Sequence, residues 1–95
     1  MRLSHTEINT LRAIIRELDP NGQLYLFGSR VDDTRRGGDI DLYLQASYPI
    51  DLKTRLRTQY LLQSACDTQV DLLVKNPSQP DQPIYQIARE KGLML

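Results

Sequence analysis

A chain of 95 residues suits one small domain, which buries a smaller share of its surface than a larger one does. Twelve basic residues against twelve acidic ones exclude a strongly basic nucleic-acid module, so no direct nucleic-acid contact is expected. A single cysteine and a single histidine exclude an internal disulfide and a cysteine zinc cluster.

Nothing resembles a signal peptide or a bilayer-spanning stretch, so a reducing, cytoplasmic setting with no membrane contact is expected. With one Phe and no Trp, the core must rest on Leu, Ile, Val and the five Tyr.

In chain order, Ser4 and Glu7 of "SHTE" form a capping box. Ile8, Leu11, Ile14, Ile15 and Leu18 then recur at helical spacing, which predicts a helix over 5–18. Pro20 and Gly22 in "DPNG" punctuate a turn. "QLYLF" at 23–27 reads as a strand that delivers the chain to Gly28. Residues 30–38 read as a polar loop, and "DIDLYLQ" at 39–45 as a second strand. Alternation there sends Asp39, Asp41 and Tyr43 to one face and Ile40, Leu42 and Leu44 to the other.

After Pro49 a second helix is expected, with Leu52, Leu56 and Tyr60 on one stripe. "QVDLLV" at 69–74 is a third strand, and a three-proline loop separates it from a short helix. That helix is expected to use Ile84, Ile87 and Ala88 and to end near Gly92. The order is helix, strand, loop, strand, helix, strand, helix, without repeat or domain boundary. An α+β domain over 1–95 follows: a small mixed β-sheet flanked by helices.

Residues two apart in a strand share a face, with Cα atoms about 6.5 to 7 Å apart. Asp39 and Asp41 therefore converge, and two such carboxylates repel unless a proton or a cation lies between them. Carboxylate oxygens with water and phosphate are the usual surroundings of Mg²⁺. Two such ions, about 3.5 to 4 Å apart, activate an attacking oxygen and stabilise a leaving pyrophosphate. Asp71, alternating against Val70, Leu72 and Val74, is the candidate third carboxylate.

The preceding loop offers the other half of a nucleotide site. Gly28 permits close approach of backbone to phosphate, and Ser29 supplies a hydroxyl and neighbouring N–H groups. Arg30, Arg35 and Arg36 are candidates to neutralise phosphate charge. Each signal has a plain reading beside it: a solvated strand face, a turn, ordinary surface arginines. Their order and strand placement together make the composite stronger than any part.

The stretch "LFGSRVDDTRRGGDIDLYL", with Asp71 in "QVDLL", resembles the minimal nucleotidyltransferase domain of the DNA polymerase beta-like superfamily. Gly28 and Ser29 match its phosphate-binding pair, with Arg30 beside them, and Asp39, Asp41 and Asp71 match its metal-binding and catalytic carboxylates. Gly38 stands where the family usually carries serine. The resemblance implies the nucleotidyltransferase fold, Mg²⁺, and transfer of AMP from ATP with pyrophosphate release.

It also implies pairing with a HEPN-type helical toxin in a hetero-oligomer, this chain being the antitoxin and attaching AMP to a tyrosine of its partner. The alternative is a non-catalytic antitoxin or scaffold that neutralises by binding. The tail "GLML" at 92–95 and any exposed part of the first helix are candidate contact surfaces, simple packing of "GLML" on its own sheet being the other reading.

Overall fold

The computed structural model describes residues 5–27 and 40–95. Helix α1 spans His5–Leu18, strand β1 Gln23–Phe27 and strand β2 Ile40–Gln45. Helix α2 spans Leu52–Cys66, strand β3 Val70–Lys75, helix α3 Pro83–Lys91 and strand β4 Leu93–Met94. Among the described residues no helix is long and apolar enough to cross a membrane.

The four strands form one sheet in the order β3-β2-β1-β4. Strand β1 is antiparallel to both β2 and β4, whereas β2 and β3 are parallel. A parallel pair needs a crossover, and α2 provides it.

The sheet separates two different cores. On one side Ile8, Leu11 and Ile15 of α1 and Leu62 of α2 meet Leu24, Leu26, Ile40, Leu42, Leu44, Val70 and Leu72. This is the aliphatic face that the strand alternation requires. On the other side Tyr85 and Ala88 of α3 cover Tyr25 and Tyr43. The rings of Tyr25 and Tyr43 lie 5.7 Å apart, those of Tyr43 and Tyr85 5.5 Å. Such separations fall within the range of favourable aromatic pairs.

Polar side chains lock the connections. Buried Asp19, just beyond α1, accepts hydrogen bonds from the Ser47 amide at 2.7 Å, the Asn21 amide at 3.2 Å and the Ser47 hydroxyl. A Cβ on Gly22 would come within 2.7 Å of the Asp19 carboxylate and 2.9 Å of Leu44, so this turn requires glycine's missing side chain. Asp51 caps α2 by accepting from the Thr54 amide at 2.7 Å, and hydrogen bonding from the Thr54 side chain and then its amide holds the carboxyl below the usual carboxylate range.

Two expectations need correction, and a third gains its orientation. The third strand runs 70–75 rather than 69–74. Helix α3 buries Tyr85 and Ala88, while Ile84 and Ile87 stay exposed, because the aromatic ring completes the tyrosine stack better than either isoleucine would. The stripe Leu52, Leu56 and Tyr60 exists but points outward. Helix α2 instead turns Thr58 and Leu62 inward and lays Arg55, Gln59 and Gln63 along the outer edge of β3.

The tail divides between its two readings. Leu93 and Met94 add strand β4 to the sheet edge with their side chains exposed, and Leu95 packs partly against the aliphatic core. The capping box involves Ser4, which lies outside the described residues, as does the loop over 30–38.

Candidate active site

Asp41 and Asp71 are direct register partners across the parallel β2–β3 pair. Adjacent strands lie about 4.8 Å apart, and register partners share a face, so these two carboxylates stand side by side. The face is that of Tyr43 and Leu73, opposite the aliphatic core. Asp71 is exposed and Asp41 half-buried, at the start of their respective strands. On the other side of β2, Asp41 is partnered by Phe27, the last residue of β1. Three strands thus bring one end of the sheet to a single place.

The covalent chain continues from Phe27 into Gly28, Ser29 and Arg30, and reaches Ile40 from Asp39. Gly28, Ser29, Arg30, Arg35, Arg36 and Asp39 lie outside the described residues. Among the described residues no group of three His, Cys, Asp or Glu side chains is gathered for a metal. The pair that is described supplies hard oxygen donors, the chemistry that suits Mg²⁺.

Two residues further along β2, the next position on the same face, the site rests on the tyrosine stack. Tyr43 is fully buried, and burial pushes its hydroxyl above the usual phenol range. The Arg89 guanidinium donates to the Tyr43 hydroxyl at 3.4 Å and to both oxygens of Asp81 at 3.0 and 2.7 Å. This forked pair lowers the Asp81 carboxyl and raises Arg89. Local alternation did not reveal this support, because Asp81 and Arg89 are joined to Tyr43 only by the docking of α3.

The edge of β3 is closed by α2. Gln63 accepts from the Val70 amide at 3.2 Å and Gln59 from the Leu72 amide at 3.0 Å, while Arg55 donates to the Leu72 carbonyl at 3.4 Å. An uncovered strand edge invites pairing with other chains, and these side chains occupy it. Their spacing of four residues on a helix was the available signal.

No curated protein matches the chain. Among solved structures, it is similar to a chain of a toxin–antitoxin complex crystallised with AMP-PNP, at 27% identity and a TM-score of 0.77, covering 90% of this chain and 69% of the other. It is also similar to a chain of the complex between tri-AMPylated Shewanella oneidensis HEPN toxin and its MNT antitoxin. There the identity is 26% and the TM-score 0.73, covering 93% and 67%. The model of the family "Polymerase beta, Nucleotidyltransferase" matches residues 9–95. With its acidic pair in register at the mouth of the sheet, the chain belongs to the polymerase beta nucleotidyltransferase family.

Proposed function

We propose that the protein is a Mg²⁺-dependent nucleotidyltransferase that moves AMP from ATP onto a HEPN-type partner and acts as its antitoxin in the cytoplasm. The observation that carries this reading is the alignment of Asp41 with Asp71 beside the end of β1, within a nucleotidyltransferase domain. The similar complexes, one with AMP-PNP and one with a tri-AMPylated toxin, support the nucleotide and the acceptor class.

In the proposed reaction an acceptor hydroxyl oxygen attacks the α-phosphorus of ATP. A new oxygen–phosphorus bond forms, the bond to the β-phosphate oxygen breaks, and pyrophosphate leaves. Asp39, Asp41 and Asp71 would hold Mg²⁺, which when bound neutralises charge on the triphosphate and on the departing pyrophosphate. Asp71, exposed at the strand start, would also receive the hydroxyl proton. Gly28, Ser29 and Arg30 would cradle the outer phosphates. Arg35 and Arg36 are further candidates for phosphate contact. Positioning and charge stabilisation then supply the rate enhancement.

The test is to coexpress the chain with whatever protein is encoded beside it, add ATP and Mg²⁺, and take intact masses. A partner mass gain of one or more AMP units, absent with Asp41→Asn, is the expected result. A stable complex with no mass change under several nucleotides would replace catalysis by inhibition through binding.

A further inference from the structure

Among the described residues, the outward stripe of α2 belongs to neither core. Leu52, Leu56 and Tyr60 are 61%, 50% and 67% exposed, one helical turn apart, over about 12 Å of helix. Three large apolar side chains in one line are costly in water and mark an interaction surface more often than three scattered ones. Helical geometry bounds the stripe on one side by Lys53 and Arg57 and on the other by Gln59 and Gln63, which sit on the edge of β3.

Where the stripe lies relative to the acidic pair gives it meaning. Gln63 meets Val70 and Gln59 meets Leu72, so Tyr60, between them in sequence, stands level with Asp71. At the opposite end, Leu52 opens onto a hollow also lined by Ile50, Leu73, Val74 and Tyr85. A partner laid along α2 would therefore run beside β3, with an apolar anchor at one end and the carboxylates at the other.

We propose that this face docks the acceptor protein, through an amphipathic helix whose apolar stripe is flanked by carboxylates. The inference rests on the transferase reading for the identity of the acceptor. Charge selects the chemistry of the partner: between Leu52 and Cys66 the helix carries Lys53, Arg55 and Arg57 and no Asp or Glu. It also disfavours a second copy. Two-fold contact uses the same patch on both chains, so Lys53 and Arg57 of the two copies would set four cations in one interface against the two N-cap Asp51 carboxylates. Docking here orients an acceptor hydroxyl toward Asp71 before chemistry.

The experiment uses the chain and the protein partner that copurifies with it. It measures partner Kd by calorimetry, partner mass gain, and the rise in Tm on adding ATP and Mg²⁺. Leu56→Glu with Tyr60→Glu should weaken partner binding at least about tenfold and raise the KM for partner, leaving the ATP-induced rise in Tm intact. Lys53→Glu with Arg57→Glu, at exposed positions, should weaken binding in the same direction and guards against a folding defect in the first variant.

Unchanged Kd in both variants overturns the docking face. So does self-association of the free chain that the same substitutions dissolve, which would assign the face to a second copy. Wild-type binding without mass gain sinks the transferase reading alone, since the Kd comparison still judges the face. No binding by the wild-type chain overturns the docking face too.

Discussion

The two faces of the sheet are built by different chemistry. Toward α1 and α2, β2 presents Ile40, Leu42 and Leu44, all fully buried among aliphatic side chains. Toward α3 the same strand presents Asp41 and then Tyr43, so one face passes from a carboxyl group to a buried ring in a single step. The aliphatic face is sealed along the strand. Among the described residues the tyrosine face is covered by α3, and Asp41 and Asp71 stand at the strand starts. One side of the strand secures the fold and the other carries the candidate acidic site, and alternation keeps the two separate.

That separation predicts effects that do not mix. Asp41→Asn and Asp71→Asn should each lower AMP transfer by at least about a hundredfold, as removal of an ion-binding carboxylate at such a site does. Asp71→Asn should leave unfolding free energy unchanged or higher by up to about 1 kcal/mol, because it relieves a like-charge pair directly opposite in register. A substantial loss of stability in urea titration would break the comparison.

On the sealed side, Leu42→Ala should cost about 2 to 5 kcal/mol by opening a cavity between sheet and helices. Nucleotide binding at temperatures where the variant stays folded should persist. A lost ATP response in the folded variant would show that the faces are coupled.

The tyrosine face can be probed by pH. Arg89 holds the Asp81 carboxyl below its ordinary value, so this pair stabilises the protein above the ordinary carboxylate pKa. The contribution is lost as pH falls through the lowered folded-state value. The Tm advantage of the wild-type chain over Asp81→Asn should therefore be present at neutral pH and shrink on acidification below about pH 4. A constant difference across that range would show that the carboxylate charge does not stabilise α3.

The smallest effect belongs to the end of α2. Asp67 closes this helix at φ 51°, in the left-handed region where glycine is at ease. Asp67→Gly should raise stability by up to about 1 kcal/mol, read as a small rise in the urea midpoint.

Much of this was legible in the chain. The limits of α1 and β1 follow from helical spacing and from the turn at Pro20 and Gly22, both local signals. The face shared by Asp41 and Tyr43 follows from a period of two and holds in whatever sheet the strand joins. Asp71 was identifiable as a polar residue alternating with an apolar set. The nucleotidyltransferase family was legible too, in the order of Gly28-Ser29, Asp39, Asp41 and Asp71.

Tertiary structure decided the rest. Only the parallel register of β2 and β3 sets Asp71 opposite Asp41, and a shift of one residue would have turned it to the other face. Only the docking of α3 made Tyr85 and Ala88 the buried pair and left Ile84 and Ile87 outside. Only the seating of α2 on the β3 edge sent Gln59 and Gln63 inward and the Leu52–Leu56–Tyr60 stripe out. The physical reason is common to all three. Alternation and helical period are properties of neighbours along the chain, whereas register and the rotation of a helix about its axis are settled by partners distant in sequence.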